Sequence, residues 1–187
     1  MRHRLFIAIN LPEDIKSKLL DFREKWNFLP VRWTKKDSLH LTLVFIGYVT
    51  DEEMYEICQL TRKVVQKFEP FFINFERILY GPPDRPPRMI WLKGKASQEL
   101  SQIKSELEDA LISSEKLGSF RAERRPFSLH ITLARMKMEK WSRLEEKPKI
   151  EEDFKASVAV NNIEVMESEL KRDGAEYTIL ESCPLGF

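Results

Sequence analysis

Three histidines occur in the 187 residues, and two of them stand at matching places in a repeat. Ser38-Leu39-His40-Leu41-Thr42-Leu43 returns as Ser128-Leu129-His130-Ile131-Thr132-Leu133, identical at five of six positions and offset by 90 residues, close to half the chain. Read as a strand, each copy turns its His and Thr to one face and its leucines (or Ile131) to the other. Two imidazoles and two hydroxyls converging on one cleft would suit a phosphate. Hydroxyls can donate to non-bridging oxygens, and two histidines on opposite sides of phosphorus can serve as base and acid in an in-line displacement. An unperturbed pKa of about 6.5 lets either protonation state be populated near neutrality.

Each histidine also has a plainer reading. A single His on a half-buried strand is ordinarily a hydrogen-bonded structural residue. Duplication with Thr at the same offset favours a functional pair. Zinc would need three or four ligands at suitable spacing, and Cys58 and Cys183 are far apart with no carboxylate cluster beside the motifs, so no metal and no cofactor are expected. His3 has no partner in the repeat and reads as a surface residue. Arg32, Lys35 and Lys36 precede the first motif, while Arg121, Arg124 and Arg125 precede the second. Such runs are either solvated faces or contacts to a nucleic-acid backbone. Phe127 and Trp33 are candidates to stack a base, whereas Trp91, between Ile90 and Leu92, reads as core.

The elements that must position these residues follow from periodicity. Residues 5–9 form a buried strand, and Pro12, Glu13 and Asp14 then open a helix whose apolar positions are Ile15, Leu19, Phe22 and Trp26. A short extended piece covers 31–33, and 39–46 alternates as a strand. Thr50 and Glu53 make a capping box ahead of a helix carrying Ile57, Leu60, Val64 and Phe68. The second half begins with a strand at 71–79, a Pro-rich loop at 81–87 and a partner strand at 89–93. A helix over 97–113 presents Leu100, Ile103, Leu107 and Leu111, and a strand follows at 128–134. Residues 137–153 are polar and read as a mobile surface connection. The last strands, at 154–170 with a break near Asn161 and at 175–181, are joined by a turn containing Asp173-Gly174.

Composition narrows the class. Balanced charge, 31 Lys+Arg against 30 Asp+Glu, denies the whole molecule a long-range attraction to a duplex, so any anion site must be local. A 42% hydrophobic and 33% charged chain of this length is an ordinary globular protein, expected as a single domain over 1–187. No stretch approaches 18 apolar residues and the N-terminal apolar run is too short for a signal peptide, so no membrane association is expected. Cysteine usage points to a reducing, cytoplasmic location.

The duplicated H-x-T pattern resembles that of the 2H phosphoesterase superfamily. Further segments match in order: 4–9, Trp33 through Gly47, 87–91, Arg125 through Arg135, Met166-Glu167-Ser168 and Gly174 through Tyr177. Together they are similar, over nearly the full length, to the bacterial and archaeal RNA 2′,3′-cyclic phosphodiesterases, historically called 2′-5′ RNA ligases. The resemblance implies an α+β fold with two pseudo-symmetric lobes of antiparallel sheet and flanking helices around a central cleft, each lobe contributing one motif.

It also implies hydrolysis of an RNA 2′,3′-cyclic phosphate end to a 2′-phosphomonoester without metal. His130 would activate water, His40 would protonate the departing 3′ oxygen, Thr42 and Thr132 would hold the phosphoryl oxygens, and Arg135 would add positive charge there. The expected partner is RNA with a cyclic phosphate end, tRNA fragments included, handled by a monomer. Two alternatives stand beside this reading: ligation of tRNA halves through a 2′-5′ bond, and an RNA-end-binding module without catalysis.

Overall fold

The computed structural model describes residues 2–83, 85–123, 125–171 and 174–186. Strand β1 (His3–Asn10) leads into helix α1 (Glu13–Lys25), whose buried Ile15, Leu19 and Phe22 recur at helical spacing. Strand β2 (Val31–Trp33) and a short 3-10 turn precede the first motif strand, β3 (His40–Val49). Helix α2 (Asp51–Val65) begins where expected: the Thr50 hydroxyl accepts the Glu53 backbone N–H, and the Glu53 carboxylate accepts that of Thr50. Strands β4 (Phe71–Gly81) and β5 (Met89–Lys95) pair as a hairpin, then α3 (Gln98–Ser113) starts at Ser97, whose hydroxyl accepts the Leu100 N–H. The second motif strand is β6 (His130–Met136), followed by helix α4 (Met138–Ser142) and strands β7 (Glu151–Val160), β8 (Asn162–Lys171) and β9 (Gly174–Pro184).

The strands make two sheets, ordered β3-β1-β8-β9 and β2-β6-β5-β4-β7, and all their pairings are antiparallel. This is the expected α+β architecture, with one motif strand in each sheet. A continuous core joins them, running from Leu5, Ile7 and Ile9 through Leu41 and Leu43 to Ile90, Leu92, Ile131 and Leu133. No helix among the described residues is long and apolar enough to cross a membrane.

Two expectations need correction. Residues 137–153 are not a free surface connection, because α4 buries Trp141 against the core and Ile150 is also buried. Trp141 meets the ring of Tyr80 edge-on at 5.5 Å, and the Tyr80 hydroxyl donates to the Pro148 carbonyl at 2.5 Å. The expected long strand broken near Asn161 is two strands in different sheets, β7 pairing with β4 and β8 with β1. Asn161 is the crossing point between the sheets. The β8–β9 hairpin is present, and Asp173 of its expected turn lies outside the described residues, as does Arg124.

Candidate active site

A cleft of about 590 Å³ lies between the two motif strands, lined by His40 and Thr42 on one side and His130, Thr132 and Arg135 on the other. Both histidines are held the same way. The Nδ1–H of His40 donates to the Ser38 carbonyl at 2.8 Å, and that of His130 donates to the Ser128 carbonyl at 2.7 Å. A carbonyl can only accept, so Nδ1 carries the proton in both rings and each neutral imidazole keeps its lone pair on Nε2. The buried leucines on the opposite strand face, Leu39, Leu41 and Leu43 with Leu129 and Leu133, fix both backbones.

The two strands share an irregularity that sequence alternation does not foretell. Ala8 pairs with Thr42 and Ile7 with Val44, leaving Leu43 as an extra residue; Trp91 pairs with Thr132 and Ile90 with Ala134, leaving Leu133 as the extra one. These β-bulges fall at the same repeat position. Each reverses the inside-outside alternation beyond it, so the residue five after the histidine reaches the cleft face. In one copy that residue is Phe45, 51% exposed; in the other it is Arg135.

Aromatic rings wall both imidazoles. Phe6 and Tyr177 flank His40 at centroid distances of 4.8 and 4.9 Å and meet each other at 5.3 Å. Trp91 stacks on His130 at 3.9 Å. Burial therefore pushes both histidines below their ordinary pKa, His40 to about 4, because the charged imidazolium loses hydration. The carbonyl that each Nδ1–H meets opposes this depression, and smaller effects add to it: the Lys16 ammonium, itself buried, bears on His40, and Lys93, paired directly across the ladder from His130, bears on that ring.

Thr42 is exposed to the cleft, and the Thr132 hydroxyl has only the weakly accepting Met89 sulfur at 4.0 Å, so both hydroxyls are available to an incoming oxygen. A guanidinium nitrogen of Arg135 lies 3.4 Å from the same sulfur. Trp33 lines the cleft, its ring edge-on to Phe22. Phe127 does not: it is half-buried and packed on the core, with the Lys104 ammonium 5.7 Å from its ring centre. Of the basic residues beside the motifs, Arg32 and Lys35 reach the cleft lining, and Arg121 and Arg125 do not. Among the described residues no group of three His, Cys, Asp or Glu side chains could hold a metal ion. His3 is partly exposed, and its ring is paired at the surface, held between Asp51 and Glu167, each at 2.7 Å.

Comparison with known proteins follows the same lines. The family model described as LigT like Phosphoesterase matches residues 9–91. A Thermotoga maritima protein named RNA 2′,3′-cyclic phosphodiesterase is 30% identical over 187 residues, covering 96% of this chain and 94% of its own. This chain belongs to the LigT-like phosphoesterase family. Its fold agrees with that of solved relatives: a Thermus thermophilus protein superposes with a TM-score of 0.83 at 27% identity over 97% of both chains. Escherichia coli LigT, crystallised with 3′-AMP, gives 0.76 at 28% identity over 99% of both. Membership makes the chain a 2H phosphoesterase.

Within the LigT-like frame, the residues that sequence reasoning missed are Phe6, Phe45, Tyr177 and Arg4, all on the cleft face of the four-stranded sheet. Phe6 lay inside the apolar run of 5–9, where nothing marks which members face a cleft. Trp91 is buried as expected, but its contact with His130 was not legible.

Proposed function

We propose that the protein hydrolyses 2′,3′-cyclic phosphate ends of RNA to 2′-phosphomonoesters, with His130 as base, His40 as acid, and Thr42, Thr132 and Arg135 holding the phosphoryl group. The observation that carries this reading is the matched pair of imidazoles, each locked by a carbonyl two residues back so that its Nε2 serves one cleft shared with two threonine hydroxyls. The Thermotoga relative's name and the nucleotide bound to Escherichia coli LigT support the same class of ligand.

In the reaction His130 Nε2 takes a proton from water as its oxygen bonds to phosphorus. The bond from phosphorus to the 3′ oxygen breaks, and His40 Nε2–H delivers its proton to that oxygen. The products are a 2′-phosphate and a 3′-hydroxyl, with the two histidines left in exchanged protonation states that solvent resets. No step calls for a metal or cofactor. We further propose a cytoplasmic monomer acting as one domain, a setting that suits the free thiols of Cys58 and Cys183.

An oligonucleotide ending in a 2′,3′-cyclic phosphate tests the reading, with product identified by its position of phosphate. His40→Ala and His130→Ala should each lose roughly 10² to 10⁴ in turnover while circular dichroism stays unchanged. A parent-like rate in either variant removes the mechanism, and activity lost to a chelator and restored only by a divalent cation removes its metal independence.

A further inference from the structure

Five cationic side chains reach the cleft, Arg4, Arg32, Lys35, Arg135 and Lys171, and no carboxylate is among the described residues that line it. Two of them are answered at the rim: Lys35 faces Glu176 at 3.7 Å, and Lys171 pairs with Glu169. Arg4 lies over the Phe45 ring, 5.0 Å from its centre. Arg32 and Arg135 differ from these. They stand directly opposite one another in the β2–β6 ladder, and neither has a carboxylate partner among the described residues. Like charges directly opposed across an antiparallel pair repel and cost stability. The Leu133 bulge is what turns Arg135 into this arrangement.

The charge count asks for more than one phosphate. A cyclic phosphodiester at the two imidazoles carries one negative charge, which leaves a cationic excess. Arg135 lies five residues past His130, one of them bulged, so its backbone is about 13 Å further along the strand at roughly 3.3 Å per residue. Arg32 lies on the edge strand beyond it. An RNA whose 3′ end is the cyclic phosphate has its next phosphate on the 5′ side of the terminal nucleotide, and paired guanidiniums suit phosphate oxygens.

Resting on the reading of the site as a cyclic phosphodiesterase, we propose that Arg32 and Arg135 form a second anion subsite, which holds the phosphoryl group on the 5′ oxygen of the terminal nucleotide. The five donors of Arg135 allow it to serve both this group and the reacting phosphate. The cleft thereby selects a chain of two or more nucleotides over a bare nucleoside cyclic phosphate.

Four substrates test this: a nucleoside 2′,3′-cyclic phosphate, the same with a 5′-monophosphate, a dinucleotide with the cyclic end, and that dinucleotide with a neutral methylphosphonate linkage. The parent should show kcat/KM about tenfold or more higher for the charged dinucleotide than for the neutral one. In Arg32→Gln that ratio should fall toward one. The 5′-monophosphate distinguishes the sources of the anion: a gain equal to the dinucleotide's assigns the subsite to any 5′-phosphoryl group, and a smaller gain assigns it to the internucleotide linkage. Equal rates for the charged and neutral dinucleotides in the parent overturn the subsite. A ratio unchanged by Arg32→Gln also overturns it, because the anion is then held elsewhere.

If no cyclic phosphate is hydrolysed, the catalytic reading has failed, and calorimetric binding of the corresponding charged and neutral 2′-phosphate dinucleotides decides the subsite separately. Tighter binding of the charged ligand that Arg32→Gln abolishes upholds it, and equal binding overturns it.

Discussion

The indole of Trp91 lies against the imidazole of His130, centroids 3.9 Å apart and planes 27° from parallel, on a strand where Gly81 leaves it room. A Cβ on Gly81 would fall 2.2 Å from that indole, so the absence of a side chain at one strand position sets the ring that covers a histidine on another. Trp91→Leu should remove a contact worth about 1 kcal/mol beyond buried area and admit water to the imidazole. The His130 pKa should then rise toward its ordinary value, read from the ring proton shifts in an NMR titration. An unmoved titration would assign the depression to Lys93 and the rest of the strand instead.

Burial depresses the pKa of both catalytic candidates, His40 to about 4, whereas a bound phosphoryl anion favours the imidazolium and raises both. The quotient kcat/KM reports the free enzyme and kcat the complex. The kcat optimum should therefore lie at higher pH than that of kcat/KM, whose profile should have one limb near pH 4. Coincident optima would mean that the substrate charge does not reach the imidazoles.

The threonine hydroxyls have at best a sulfur for company until an oxygen arrives. Thr42→Val and Thr132→Val keep the shape and remove the donor, so each should lower kcat by roughly 10²-fold, the scale of a lost oxyanion donor, with little change in KM. A raised KM at constant kcat would move these hydroxyls from transition-state to ground-state binding.

His3 ties the first strand to the start of α2 and to β8, one ring nitrogen on Asp51 and the other on Glu167. Hydrogen bonds to these two carboxylates raise its pKa above the ordinary 6.5. The folded state thus binds this proton more tightly than the unfolded chain does, so the added stability is full below about pH 6.5 and lost as pH rises through the raised value. Urea midpoints should fall over that interval in the parent, and His3→Gln should flatten the fall. Identical pH profiles for both proteins would leave His3 without a stabilising charge.

Legibility in the sequence tracked how local the cause was. The α2 capping box needs only Thr50 and Glu53, three residues apart, and was readable as such. The repeated motif exposed both histidines because period-two alternation acts within one strand. Phe6 meets His40 across the β1–β3 pairing, and Tyr177, on β9, reaches it past β8 and β1, long-range arrangements that alternation does not encode. The 137–153 stretch misled for another reason: its charged majority hid Trp141 and Ile150, two apolar side chains sufficient to anchor it. Strict alternation would also have sent Phe45 and Arg135 to the core face, had Leu43 and Leu133 not been bulged.

Those matching bulges bear on the direction of a bound strand. RNA has a head and a tail, and a cleft with true two-fold symmetry would accept it in either orientation. The fold presents two equivalent places, ninety residues apart, and fills one with the ring of Phe45 and the other with the guanidinium of Arg135. An aromatic ring with the Arg4 guanidinium 5.0 Å from its centre on one side, and the Arg135 guanidinium without such a ring on the other, are not interchanged by rotating the ligand, so under the proposed function the pair gives the cleft a polarity, and with it a rule for which of two chemically similar oxygens faces which histidine.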